Sequence, residues 1–146
     1  MTLPKSLRLT QAERPRYYDP VSNRRRKFIE KLDEQLMGFI QEGDGKSPSR
    51  KIQRRMRDKD TGVLVLRELD QIIKPWWWKG SDGTYYIRLK YGSRPLELAK
   101  GKSAIQADNR QSLEGMLRDL ISAVQSGDLD SHLRESAEAI RSKFKR

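Results

Sequence analysis

The sequence predicts an α+β fold: an N-terminal amphipathic helix, an antiparallel meander of about four to five strands, and two C-terminal helices packed on one sheet face. Three patterns point there. Phe28, Ile29, Leu32, Leu36, Phe39 and Ile40 recur three and four residues apart, the spacing of one helix face. From Thr84 to Tyr91, the residues Tyr85, Ile87, Leu89 and Tyr91 alternate with Tyr86, Arg88 and Lys90, as in a strand with one face on a core. Leu113, Met116, Leu117, Leu120, Ile121 and Val124 then form a second helical stripe that ends near Gly127.

Residues 1–21 hold three prolines and the adjacent Tyr17 and Tyr18 without a sustained period, so an extended basic arm is expected there, closed by Asp19-Pro20. A single α+β domain is expected over 22–146, a length that suits one compact core. Ser22 or Asn23 can cap the first helix, which runs to Gly43 and is followed by a flexible loop through Ser49. Arg50 to Arg57 and Val63 to Leu69 flank Asp58-Lys59-Asp60-Thr61-Gly62, a connection with the glycine a hairpin needs. A third strand is expected from Ile72 through Trp78, broken from its predecessor near Lys74-Pro75. After the turn at Gly80 to Gly83 come the alternating strand at Thr84, a short strand from Leu96 to Ala99, and another from Ser103 to Ala107. Asp108 or Asn109 can cap the next helix, and Asp130 or Ser131 the last. In that last helix Leu133, Ala137, Ile140 and Phe144 keep the period, and Lys143, Lys145 and Arg146 suit the negative end of the dipole.

Charge narrows the partners. Lysine and arginine number 31 against 20 acidic residues, a formal net charge of +11, and sixteen of the basic residues precede residue 60 against eight acidic ones. Such asymmetry attracts polyanions through counterion release, so nucleic acid is the first candidate and an anionic membrane surface the second; solubility alone is the plain alternative. There is no cysteine, which removes disulfides and thiolate metal sites and fits a reducing cytoplasm. No apolar run approaches the length of a membrane span, and the first ten residues lack the apolar core of a signal peptide, so a cytoplasmic protein without membrane contact is expected.

Four groups of residues are candidates for phosphate or base contact. Arg24, Arg25, Arg26 and Lys27 fall at the expected start of the first helix, where the dipole disfavours cations, unless the helix begins later and the run belongs to the arm. In the Arg50 to Arg57 strand, alternation puts Lys51, Arg55 and Arg57 with Gln53 on one face, and Ile52, Arg54 and Met56 on the other. That row can follow a phosphate backbone, or it can guard an exposed edge against aggregation. Lys74 and Lys79 bracket Pro75 and three tryptophans. In an extended strand Trp76 and Trp78 share a face and are expected to fill core, whereas Trp77 points the other way with Lys79. Trp77 and Tyr86 would then stack on bases beside Arg88 and Lys90, the ring and cation mixture that single-strand binders use.

Catalysis finds little support, and no enzyme activity, metal or cofactor is expected. His132 is the one histidine and reads as a surface or capping residue. Asp58, Asp60 and Asp70 suit turns and strand ends; they would matter as a nuclease site only if they converged with Glu68 around a pocket. Gly101-Lys102-Ser103 matches the end of a phosphate loop, yet Leu96 stands where that motif needs its first glycine, and the stretch reads as a turn.

The stretch from Lys74 to Leu129, with KPWWW, GTYYIRLKYGS, LELAKGKSAI and SGDLD, resembles an uncharacterised family of small bacterial proteins, and RRKFIEKLDEQL and the C-terminal FKR extend the likeness. That family brings no assigned activity. The layout alone, a meander followed by a helix, is similar to the Whirly and Pur-alpha single-strand-binding proteins, which implies a single-stranded DNA or RNA partner and a homodimer. The competing expectation is an interaction adaptor of phage or mobile-element type, whose basic arm docks on an acidic protein.

Overall fold

The computed structural model describes residues 2–14 and 19–144. Tyr17, Tyr18, Lys145 and Arg146, singled out above, lie outside the described residues. Residues 2–14 are exposed and form neither helix nor strand.

Helix α1 spans Pro20–Gly43. Its cap is Asp19, whose carboxylate accepts from the Val21 N–H at 3.2 Å and the Ser22 hydroxyl at 2.7 Å. Pro20 follows at the first helical position, where its missing N–H costs nothing and its fixed φ is already helical. The cap therefore precedes the expected Ser22 or Asn23. Arg24 to Lys27 consequently sit beyond the first turn, where the dipole has largely faded, and the conflict with the helix start falls away.

Strands β1 (Ser49–Arg57) and β2 (Leu64–Ile72) pair antiparallel in an unbroken register from Ser49↔Ile72 to Arg57↔Leu64. The turn between them uses Gly62 at φ 71 and an Asp58 carboxylate that accepts the Asp60 N–H at 2.8 Å. This pair is a sheet of its own, and no residue from Ser49 to Ile72 is buried. Only its base is fastened: the Gln41 side chain accepts the Ser49 N–H at 2.8 Å, and the N–H of buried Ile73 donates to the Pro48 carbonyl at 3.0 Å.

The chain then crosses α1 without forming the strand expected from Ile72 to Trp78. Pro75 cannot donate to a ladder, and its neighbours bond to a helix side chain instead: Gln35, only 3% exposed, donates to the Lys74 carbonyl at 3.0 Å and accepts the Trp76 N–H at 2.7 Å. Strand structure resumes at β3 (Trp77–Lys79). It pairs with β4 (Tyr85–Arg88), which pairs on its other side with β7 (Ala104–Ala107). Between β4 and β7 lies a small separate hairpin of β5 (Lys90–Tyr91) and β6 (Arg94–Pro95). The strand expected from Leu96 to Ala99 is instead a turn with one bridge, Ala99 to Lys102, and Gly101 sits there at φ 74. Among the described residues the strands are thus divided over three small antiparallel sheets.

Helix α2 (Arg110–Gln125) is capped by Asn109, whose side chain accepts the Ser112 N–H at 2.8 Å, and α3 (Asp130–Phe144) completes the chain. α2 packs on α1 and on β4 and β7, while α3 meets α1 and β5. Register fixes the two faces of the central sheet. Trp77, Ile87 and Ile105 line up across it on the helix-covered side, and Trp78, Tyr86 and Gln106 line up on the open side. The core joins Phe28, Leu32 and Phe39 of α1 to Ile87, Leu113 and Leu117, each such side chain contributing about 1.5–3 kcal/mol by leaving water.

Candidate functional site

The four cations at Arg24 to Lys27 do not act together. A helix turns about 100° per residue, so consecutive side chains point in different directions. Arg25 reaches α3: its Nε donates to Asp130 Oδ1 at 2.8 Å and its Nη2 to Asp130 Oδ2. The guanidinium fork holds the Asp130 carboxyl below its ordinary range, chiefly through those hydrogen bonds and then through the charges of Arg25 and Arg24. Arg26 is bound on its own helix, to Glu30 at 3.0 Å and Asn23 at 2.8 Å. Lys27 alone faces a groove described below.

On the ribbon, Lys51, Gln53, Arg55 and Arg57 do share a face, as alternation requires. Lys51 pairs with Glu68 at 3.4 Å, and Arg57 donates to the Gly62 carbonyl at 3.1 Å, so Arg55 is the cation of that row without a partner among the described residues. The opposite face holds what the sequence reading passed over. Arg54 lies directly across from Arg67, between the apolar pairs Ile52↔Leu69 and Met56↔Val65. Among the described residues, Arg54, Arg55 and Arg67 have no hydrogen-bond or ion-pair partner.

Trp77 and Trp78 are placed the opposite way to the expectation, while Trp76 packs half-buried against the core. Trp77 is 5% exposed, packs edge-on to Phe39 at 5.3 Å and donates its Nε1–H to Glu42 at 3.1 Å, so it cannot stack on a base. Glu42 also accepts from Arg110, whose guanidinium lies 3.9 Å from the Phe39 ring centre, so this indole belongs to an α1–α2 clasp. Trp78 is 40% exposed on the open sheet face, stacked on its cross-strand partner Tyr86 at 5.5 Å with Arg88 at 5.3 Å from its ring centre. Lys79 lies over the Tyr85 ring at 5.8 Å. The physical cause is strand phase: Trp77 is in register with Ile87, and Ile87 faces the core.

A groove gathers the remaining candidates. Lys27 and Lys31 on α1, Lys74 before β3 and Lys90 on β5 line two adjoining clefts that share Lys31, Lys90 and Gly92. Arg50 at the ribbon base and the half-buried Trp76 ring complete the wall, and Trp76 is backed by Phe28 at 6.3 Å. Glu34 neutralises two of these cations, approaching Arg50 at 3.4 Å and Lys31 at 3.7 Å. Lys27, Lys74 and Lys90 have no ion-pair partner among the described residues. Lys31 was legible in principle, since it follows Lys27 by one helical turn. Trp76 joins the groove just past the bend at Pro75 and Arg50 from the ribbon base, a meeting that no spacing rule announces.

The acidic residues do not converge: no group of three or more His, Asp or Glu able to hold a metal occurs among the described residues. Asp58 sits in the hairpin turn, while Glu68 and Asp70 lie along β2. His132 is half-buried at the start of α3 with Nε2 3.1 Å from the Leu98 carbonyl, which assigns the ring proton to Nε2 and leaves Nδ1 buried without a partner among the described residues.

Together these features define a small α+β protein with a free two-stranded ribbon beside a cation-lined groove. The chain belongs to DUF6641, a family of unknown function whose profile matches residues 19–133, from the α1 cap into α3. No curated protein and no solved structure matches it. No helix among the described residues is long and apolar enough to cross a membrane.

Proposed function

We propose that this protein binds nucleic acid, taking a single strand of DNA or RNA into the groove between α1, the ribbon base and β5. One observation carries the reading: three lysines without ion-pair partners among the described residues, Lys27, Lys74 and Lys90, come from separate elements to two adjoining clefts, and the Trp76 ring walls the one that holds Lys74 and Lys90. A strand threaded there would place phosphates on the ammonium groups and a base against the indole. The open sheet face, with Trp78 stacked on Tyr86 under Arg88, offers further rings and charge for a strand leaving the groove. The role is that of a binding protein in the cytoplasm rather than an enzyme.

Titration of tryptophan fluorescence with an oligonucleotide at two ionic strengths tests this. Neutralising three phosphates predicts a log–log salt slope of about −2 or steeper for a single strand. The double variant K74Q/K90Q should flatten that slope and weaken binding. Salt-independent binding, or wild-type affinity in the variant, overturns the reading.

The arm supports a second reading. Leu3, Leu7 and Leu9 are exposed on residues 2–14, beside Lys5 and Arg8, the composition of a peptide that docks on an acidic protein. A protein partner retained from nuclease-treated lysate by the full chain, and lost when Leu3, Leu7 and Leu9 are replaced by serine, would favour it.

A further inference from the structure

We infer that the β1–β2 ribbon enters the major groove of double-stranded DNA, so that the preferred ligand is a duplex joined to the single strand held at the ribbon base. The inference rests on the nucleic-acid reading above for its class of partner, but it uses a different surface and different residues.

The ribbon is unusual as a piece of a folded protein. Two strands of nine residues pair only with each other, and none of their side chains is buried, although an isolated two-stranded hairpin is marginal in water. Within it, Arg54 faces Arg67 directly. Like charges opposite each other on one face of an antiparallel pair destabilise it, and here no carboxylate among the described residues relieves them. A polyanion between the two guanidiniums turns that repulsion into attraction.

Shape selects the polyanion. Nine residues at about 3.4 Å each give a ribbon roughly 30 Å long. The major groove of B-form DNA, about 12 Å wide, admits a two-stranded ribbon, whereas the major groove of double-stranded RNA is too deep and narrow for side chains to read. With the Arg54–Arg67 face turned inward, each guanidinium can meet the acceptor pair on a guanine edge, and Met56 and Val65 can meet thymine methyl groups. Arg55, on the other face, remains to contact phosphates on the groove wall. Arg50 ties the two sites together: it belongs to the ribbon, in register with Gln71, and also lines the basic groove. A duplex on the ribbon therefore delivers its unpaired end to Lys74 and Lys90.

Fluorescence anisotropy with a blunt duplex, a single strand and a duplex carrying a single-stranded tail, each on the full chain, tests this. The variant R54Q/R67Q should lose about tenfold or more in affinity for the duplex and the tailed duplex at low salt, and change single-strand binding by less than about twofold. K74Q/K90Q should show the reverse selectivity, and its failure to affect single strands sinks the groove reading alone. Wild-type duplex affinity in R54Q/R67Q overturns the ribbon inference alone. A second copy of the chain seated on the ribbon is the other outcome: a dimer in light scattering that R54Q/R67Q preserves and L64S/L66S abolishes would also overturn it. Misfolding is controlled by thermal unfolding, where removal of two opposed charges should leave the midpoint of R54Q/R67Q unchanged or higher.

Discussion

Gln35 and Trp76 are joined by a 2.7 Å hydrogen bond from the Trp76 backbone N–H to the Gln35 side-chain oxygen, and the same amide donates to the Lys74 carbonyl. One helix side chain thus does for the bend at Pro75 what a neighbouring strand would do for a ladder. Gln35→Leu keeps the volume and removes both bonds, stranding a donor and an acceptor beside the core. It should cost about 2–3 kcal/mol, read as a lower urea midpoint with an unchanged slope. A loss below about 0.5 kcal/mol would show that the amide is not the clamp.

The indoles should separate cleanly by stability. Trp77→Ala opens a space beside Phe39 and Gly38 and removes the bond to Glu42, so about 3–5 kcal/mol is expected. Trp78→Ala removes a stack on an open face and should cost about 0.5–1.5 kcal/mol. Chemical denaturation of the two variants checks the order, and a larger loss at Trp78 would contradict the assigned faces.

Gly127 is required by two independent constraints. Its φ of 89 lies in the left-handed region, and a Cβ there would stand 2.7 Å from Arg25 Nη2. Gly127→Ala should therefore destabilise by more than about 1 kcal/mol. Part of that loss is the displaced arginine, so the same substitution should cost less in an R25Q background, a coupling that a double-mutant cycle on thermal unfolding would measure.

Acid should expose the α1–α3 link. The Asp130 carboxyl is depressed below its ordinary 3.8 by Arg25, so its contribution to stability is fully present above that value and disappears as pH falls through the lower, folded-state value. Asp19, lowered chiefly by the Ser22 hydroxyl at the α1 cap, acts with the same sign. D130N should be less stable than the wild type at neutral pH, and the gap in melting temperature should narrow below about pH 4. A gap that stays constant into acid would mean the ion pair carries no weight.

Much of the fold is readable from period alone. The stripe from Phe28 to Phe39, the alternation from Tyr85 to Arg88 and the stripe from Leu113 to Val124 have their predicted secondary structure, because burial on one side enforces the repeat. The strand expected from Thr84 to Tyr91 nevertheless breaks at Leu89, and Lys90 and Tyr91 pair with Pro95 and Arg94 in another sheet. The errors lie where period is short or broken. Three consecutive tryptophans, two of them in a three-residue strand, contain no phase of their own; only pairing with β4 decides that Trp77 faces inward. The opposition of Arg54 and Arg67 likewise follows from the turn, since closing the hairpin at Arg57↔Leu64 fixes every later pair. The groove was least legible. Its lysines are scattered over Lys27 to Lys90, and the one at Lys74 is held there by the Gln35 clamp, a contact between residues some forty positions apart.

Because the hairpin from Ser49 to Ile72 lends nothing to the core, its length is free of the constraints that hold the body. Residues can be added or removed in facing pairs, two per strand, with the side-chain phase intact and α1, the central sheet and α2 undisturbed. Reach and foldability are then separate quantities in this protein, and related chains can differ in one without altering the other.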